Sequence, residues 1–515
     1  MVNFLFEGKE LELRDICKKI KNFSESVLKQ EIFIPSLLKS QEKKISSINE
    51  LPDELESKNI EENIQNQLIY GENENVLIWL LDKYKGKIDL IYIDPPFATG
   101  GDFNLKIFIG NDRNKFIETL AYDDTWKGGI NSYLSFLYRR LFLMKKLLSQ
   151  KGSIYLHLDW NNIHYAKMIM DDIFGSGNFR NEIIWAYPAA SARTKRYFVR
   201  SYDSILYYTK TDDYIFNDDQ NIYMEYSDRV KNALKEDERG IFYYRGGSHN
   251  GKKLSRKVYV NKRGVFPRDV WNDIPYIRAN TKEYQGFSTQ KPERLLKRII
   301  LASSNKGDLI ADFFSGSGTT IAVADKLGRK WIGCDINWLS IHRTRKRLLE
   351  IENSHDMLKW SKKYRKLVRP FKISFLKDPE ENHSFKEILK QSKLDEFSLK
   401  NYNPRLIFKI HQNGFKVQVE ISKYEIPDII TFSKEVEKLI SVNLDYLDFI
   451  AIDFNYNEDC FKPKWISYRT PKKRDLKLIS KCFEYTKPGC YKILIKTVDF
   501  LGKETNILQK VEIKS

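Results

Sequence analysis

Short Ile-rich runs that are apolar on both faces, alternating with segments of helical spacing, constrain the fold of this chain more than any other feature. The run from Ile88 to Ile93 is broken only by Asp89 and is bounded by Asp94 and two prolines. A strand of that composition needs cover on both sides, as in a parallel sheet flanked by helices. NENVLIWLLDKY, just before it, is amphipathic. YLSFLYRRLFLMKKLLSQ reads as a helix ended at Lys151 and Gly152, GSIYLHLD as a strand, HYAKMIMDDIFG as a helix ended by Gly175, and NEIIWAY and SILYYTK as strands. Such alternation predicts an α/β fold with a doubly wound, mostly parallel sheet.

The pattern divides the chain. Residues 1–67 repeat apolar positions at helical spacing (LRDICKKIKNF, SVLKQEIFIPSLLKS) and are expected to form a helical N-terminal extension. Residues 68–210 form the first half of the sheet. Residues 211–284 lose the periodicity in aromatic, basic and Gly-rich text and read as an insert. The α/β pattern returns over 285–350 with PERLLKRIILASS, the strand DLIADFF, a helix after SGSGTT and the strand KWIGCDI. A basic linker is expected over 351–405. A β-rich C-terminal domain is expected over 406–515, with turns at Pro488, Gly489 and Gly502.

A chain of 515 residues exceeds one ordinary domain, and 42% hydrophobic residues with 31 Phe and 29 Tyr exclude disorder throughout. The net charge of +18 points to a polyanionic partner, since Lys and Arg that neutralise phosphates release counterions. Part of that excess is a general enrichment in Lys. No stretch approaches twenty uncharged apolar residues, and the N-terminus turns acidic before a signal-peptide core can form, so a cytoplasmic protein without a membrane span is expected. The five cysteines (Cys17, Cys334, Cys460, Cys482, Cys490) are scattered without a C-x-x-C pair, and the seven histidines show no ligand spacing. No disulfide framework and no metal site are expected.

Two loops carry the chemistry. Asp94, Pro95, Pro96 and Phe97 follow directly on a strand, at the edge where open α/β sheets bind ligands. The prolines stiffen the backbone and leave carbonyls without local donors. A carboxylate, a carbonyl and a ring together suit an amino group on a flipped base: Asp94 and the Pro95 carbonyl accept its two N–H bonds and Phe97 stacks on the ring. Taken alone, the tetrapeptide equally describes a capped turn. The second loop, Asp312 to Thr320 (DFFSGSGTT), runs strand, glycine turn, helix, so that a ligand can approach backbone N–H donors at a helix start. Seventeen residues past Gly318 the next strand ends at Asp335, the position from which nucleotide-type folds grip a ribose diol.

In this order the blocks LIYGEN, IYIDPPFATGGDF, YDDTW, GSIYLHLDW, DIFGSGNFRNEIIW, STQKPERLLKRII, DFFSGSGTT and GRKWIGCDI resemble a β-class DNA amino-methyltransferase from about Leu68 to Arg347. The chain is particularly similar to the modification (Mod) subunits of type III restriction-modification systems. The resemblance implies a methyltransferase core with circularly permuted motif order, its catalytic half at 68–210 and its cofactor half at 285–350. It implies S-adenosylmethionine as cofactor and transfer to the N6 amino group of adenine. Asp94, Pro95, Pro96 and Phe97 fall at the target base, Asp312, Phe314, Gly316, Gly318, Thr319 and Asp335 at the cofactor, and Gln290, Lys291 and Pro292 beside the cofactor's methionine end. Asp at the first catalytic position, where cytosine-N4 enzymes usually have Ser, favours adenine. The family more often has Tyr at the place of Phe97.

The insert falls where this class keeps its target-recognition region. Arg245, Lys252, Lys253, Arg256, Lys262 and Arg263, with His249 and Arg268 among Tyr and Phe, suit phosphate and base-edge contacts with double-stranded DNA. The C-terminal region is expected to dock either a restriction/helicase subunit or a second copy of the chain. Cytosine-N4 or RNA methylation, and a DNA-binding specificity subunit without catalysis, are the alternative readings.

Overall fold

The computed structural model describes residues 9–24, 27–40, 64–98, 100–124, 126, 128–187, 195–249, 252–376, 402–427, 432 and 434–514. Along the chain the strands are β1 (Lys29–Phe33), β2 (Asn66–Tyr70), β3 (Ile88–Ile93), β4 (Asp102–Phe108), β5 (Phe116–Asp123), β6 (Leu148–Leu158), β7 (Phe179–Ala186) and β8 (Tyr202–Thr209). They continue as β9 (Lys235–Asp237), β10 (Gly240–His249), β11 (Lys252–Tyr259), β12 (Val270–Trp271), β13 (Leu309–Asp312), β14 (Lys330–Asp335) and β15 (Phe371–Phe375). The last are β16 (Arg405–Asn413), β17 (Lys416–Glu425), β18 (Leu447–Asp453), β19 (Trp465–Tyr468), β20 (Phe483–Glu484), β21 (Gly489–Asp499) and β22 (Glu504–Ile513).

Ten strands make one central sheet in the order β1-β15-β2-β14-β13-β3-β6-β8-β7-β12. From β15 to β6 every pairing is parallel, while β1 and β8 run antiparallel to their neighbours. Alternate residues of the central strands enter two different cores. Leu68, Tyr70, Leu90, Tyr92 and Ile310 pack with the helices Glu293–Ser303, Thr319–Lys326 and Trp338–Leu349. Ile69, Ile91, Ile93 and Ala311 pack with the helices Asn73–Tyr84, Gly129–Leu147 and Ile163–Phe174. Each fully buried Ile or Leu contributes about 1.5–3 kcal/mol, so these doubly apolar strands are stable only between helix layers. The doubly wound, mostly parallel sheet is the fold class that the alternation predicts.

Two segments differ from the sequence expectation. In the N-terminal extension only Lys9–Lys21 and Pro35–Ser40 are helical among the described residues; between them lies β1, which pairs with β15 at the sheet edge. Ile32 and Phe33 favour an extended edge strand once a partner is available. That partner, β15, lies inside the stretch read as linker. FKISF alternates, burying Phe371, Ile373 and Phe375 in the first core, so the sheet continues past residue 350. Residues 41–63 and 377–401 lie outside the described residues.

The insert carries its own three-stranded sheet, β11-β10-β9, and then returns to the central sheet through β12 beside β7. Strands β16 to β22 form two small sheets around Val417, Ile450 and Ile493. This C-terminal unit is joined to the core by buried charge. Glu31 of β1 receives Arg345 at 3.0 Å and is also ion-paired to Lys496 of β21, all three fully or almost fully buried. Asp448 of β18 binds His342 at 2.9 Å and pairs with Lys346, both on the helix Trp338–Leu349. The indole N–H of Trp338 donates to the Gly502 carbonyl at 2.9 Å.

Candidate active site

Parallel pairing sets Leu90 beside Ile310 and Ile310 beside Trp331, so β3, β13 and β14 end side by side at the carboxyl edge of the sheet. The residues that follow them surround a cavity of about 310 Å³. That size suits a small organic ligand, for which sites of ~300–1,000 Å³ are usual. Asp94 and Pro96 line it from β3, Asp312, Phe314, Ser315, Gly316 and Thr319 from the loop after β13, and Asp335 from β14. Gln290 and Lys291 line it from the turn before the helix Glu293–Ser303, with Trp126, Phe136 and Phe287 supplying aromatic wall.

Of the residues that sequence assigns to the catalytic and cofactor sites, four lie off the lining: Pro95, Phe97, Pro292 and Gly318. Pro292 is the N-cap of the helix Glu293–Ser303. Gly318, at φ 72°, caps the helix Thr319–Lys326, and a Cβ at that position would collide with Thr344. Phe97 stands beside His157, their rings stacked at 6.2 Å between centroids. Its carbonyl accepts from the Asn162 side chain. Ala98 takes a left-handed φ of 52° and its N–H donates to the buried Asp124 carboxylate at 2.8 Å. The loop is therefore held from behind by residues of the YDDTW and GSIYLHLDW blocks.

The Asp94 carboxylate is held by one cation. Lys291 Nζ lies 2.9 Å from Oδ1 and 2.8 Å from Oδ2, and 5.0 Å from the centre of the Phe97 ring. Asp335 accepts from the Gly316 N–H at 2.8 Å and from the Asn337 N–H at 2.8 Å, which ties the glycine loop to the end of β14. Burial pushes the Asp335 carboxyl up to about 6 against those bonds. Asp312 is also buried; desolvation, with the charges of Asp94 and Asp335 adding to it, raises its carboxyl to about 7. The Ser315 hydroxyl is buried on the cavity wall without a hydrogen-bond partner among the described residues.

Family-model comparison places residues 88–346 in the N6/N4 DNA methylase family. That match spans half of the chain and contains both loops. The chain belongs to the DNA methylase family. A DNA adenine methyltransferase of Escherichia coli, YhdJ, is 32% identical over 251 residues, covering 48% of this chain and 72% of that protein. The type II methyltransferase M.EcaI of Enterobacter cloacae is 30% identical over 321 residues, 53% of this chain and 67% of that enzyme. The Mod subunit of the type III enzyme StyLTI of Salmonella typhimurium is 27% identical over 329 residues, 50% of this chain and 49% of that subunit.

Within this DNA methylase fold, a brace of residues remote from one another in sequence lies under the glycine loop. Arg347 donates to the Ser317 carbonyl at 3.0 Å, to Thr319 Oγ1 at 2.9 Å and to Glu293 Oε1 at 2.8 Å, and Lys326 holds Glu293 Oε2 at 2.7 Å. Burial opposes the Glu293 charge, but the two cations outweigh it and hold the carboxyl at about 2. Behind Phe97, the buried His157 bridges the Tyr92 hydroxyl at 2.7 Å and Asp203 at 3.1 Å. The signals were present, Glu293 in STQKPE and His157 in GSIYLHLDW, but their partners are remote in sequence.

In the insert, Arg245 and Arg256 face each other in register across the β10–β11 hairpin and both are exposed. Lys262 is exposed beyond β11. Arg263 is engaged internally, with Asp218 at 2.7 Å and over the Tyr223 ring. Lys252, Lys253 and His249 fall outside the described side chains; Arg268 is exposed. No helix among the described residues is long and apolar enough to cross a membrane.

Proposed function

We propose that this DNA methylase transfers a methyl group from S-adenosylmethionine to the N6 amino group of an adenine rotated out of double-stranded DNA, as the modification enzyme of a restriction-modification system. The observation that carries the reading is the meeting of Asp94 with the Asp312-to-Thr319 loop and Asp335 around one cavity. Asp at position 94, and the adenine named in the YhdJ relative, favour adenine over cytosine.

The donor set fits the cofactor. Two acids, the buried Asp312 and the half-buried Asp335, suit a ligand bearing a sulfonium and a ribose diol, and the unpartnered Ser315 hydroxyl offers a further polar contact. Asp335 uses one lone pair of each oxygen on backbone N–H groups and keeps others for a diol. When bound, S-adenosylmethionine supplies an electrophilic methyl group. Phe314, Gly316, Thr319 and Gln290 line the same space and would hold it.

Asp94 and the Pro95 carbonyl accept the two N–H bonds of the target amino group and Phe97 stacks on its ring. Accepting both bonds draws the nitrogen lone pair out of conjugation, so the amino nitrogen itself is the nucleophile. Asp94 is the acceptor nearest the proton that nitrogen sheds. The hairpin cations Arg245 and Arg256, with Lys252, Lys253, Lys262 and Arg263 nearby in sequence, would contact DNA phosphate and bases. A restriction/helicase subunit or a second copy would dock on the C-terminal unit, in keeping with the likeness to a Mod subunit. Incubating the protein with cofactor and unmethylated plasmid, followed by single-molecule sequencing, tests the reading. Methyl marks on adenine at one short sequence are expected; marks on cytosine, on RNA only, or nowhere would refute it.

A further inference from the structure

We infer that Lys291 is a positioning residue for methyl transfer: it fixes the plane of the Asp94 carboxylate against the face of Phe97, so that the target amino group meets an acceptor of one set direction. The inference rests on the reading of Asp94 as the amino-group acceptor. Lys291 reaches across 197 residues of sequence to straddle both carboxylate oxygens, at 2.9 and 2.8 Å. A carboxylate offers about four lone-pair sites. One ammonium spanning both oxygens takes one site on each and stops rotation about the last side-chain bond, leaving the rest for an incoming N–H.

The lysine is itself held. On one side of it, Gln290 accepts from the Gln285 N–H at 2.7 Å and donates to the Glu283 carbonyl at 2.6 Å. On the other, Pro292 caps a helix whose first residue, Glu293, donates its N–H to Glu283 at 2.9 Å and is pinned by Lys326 and Arg347. The side chains of Lys291 and Asp94 are only 10% and 18% exposed. A nearly buried ion pair loses solvation on both partners and is a poor source of stability, so its place at the base-facing loop points to orientation rather than cohesion. The same ammonium stands 5.0 Å from the Phe97 ring centre, setting acceptor and stacking ring relative to one another.

Steady-state transfer of labelled methyl to unmethylated plasmid DNA tests this with Lys291→Met, Lys291→Arg and Asp94→Ala/Lys291→Met, alongside calorimetric S-adenosylmethionine binding. Misorientation of a reacting group costs about 10²-fold, so Lys291→Met is expected to lower kcat by about that factor while KM for the cofactor stays within about threefold. Lys291→Arg should recover at least about tenfold of the loss, and the double variant should be no slower than Asp94→Ala alone. A kcat for Lys291→Met within about twofold of the unaltered enzyme overturns the inference, as does a loss confined to cofactor KM, which would make Lys291 a cofactor ligand only. Should Lys291→Met fail to bind cofactor at all, Lys291→Arg decides: unaltered cofactor binding with lowered kcat supports positioning, and unaltered kcat overturns it. If the unaltered enzyme methylates no adenine, it is the proposed function that fails.

Discussion

Replacing Gly318 by alanine puts a methyl group where the fold has no room for one. The backbone there is left-handed, at φ 72°, and the added carbon would stand 2.5 Å from Thr344 Cγ2 and 2.6 Å from its hydroxyl. Left-handed geometry costs a non-glycine residue about 1–2 kcal/mol and overpacking a further 1–3 kcal/mol, so Gly318→Ala is expected to lose about 2–5 kcal/mol. Thr344 is fully buried and its hydroxyl donates to the Gly316 carbonyl at 3.2 Å, so the clash is delivered into the loop that lines the cavity. Thr344→Ala removes the two closest atoms and leaves the strain of φ. Urea unfolding of the two single variants and the double should therefore show the double less destabilised than the sum by about 1–3 kcal/mol, the overpacking share. Cofactor affinity should fall in Gly318→Ala and recover in part with it. A single variant within about 0.5 kcal/mol of the parent, or a strictly additive pair, would refute the account of this glycine.

Cofactor affinity should rise with pH and level off only about one unit above the Asp312 value, since Asp312 and Asp335, at about 7 and about 6, must lose protons to face a sulfonium; calorimetry from about pH 5 to 9 checks it, and Asp312→Asn should flatten the rise. Both carboxyls are raised by burial above their ordinary value of 3.8, so by linkage their contribution to stability is full below that value and is lost as pH rises to about 6 for Asp335 and about 7 for Asp312. Deleting everything after residue 376 should destroy folding, because Arg345 and Glu31 lose Lys496, and His342 and Lys346 lose Asp448. Each broken buried pair costs about 3–5 kcal/mol; a truncated chain that stays soluble and binds cofactor would contradict this. Arg256→Glu in the hairpin should weaken DNA binding and reduce the slope of log affinity against log salt by about 1, measured by anisotropy.

The sheet was legible wherever a strand was apolar on both faces, as over Ile88 to Ile93, because such a run has only one stable location. The pocket was legible because both loops end strands that a parallel sheet aligns at one edge. β1 was not legible: SVLKQEIFIPSLLKS carries helical spacing, and only its pairing with β15 makes Lys29–Phe33 extended. β15 was hidden in a basic stretch for the same reason, its pattern of five residues being too short to separate from its surroundings. Buried charges read as surface charges. Glu31, Arg345 and Lys496 come from three distant segments, and nothing local marks them as partners. Lys291 was placed by family resemblance beside the cofactor, whereas its ion pair with Asp94 depends on a contact that sequence order does not express.

Nucleoside mass spectrometry of plasmid DNA treated with the enzyme and labelled cofactor bears most directly on the central claim. The account predicts labelled N6-methyladenine with the parent chain and only a small residual fraction of it with Asp94→Ala, while Asp94→Ala still binds cofactor. Label on cytosine, or undiminished N6-methyladenine from Asp94→Ala, would contradict it.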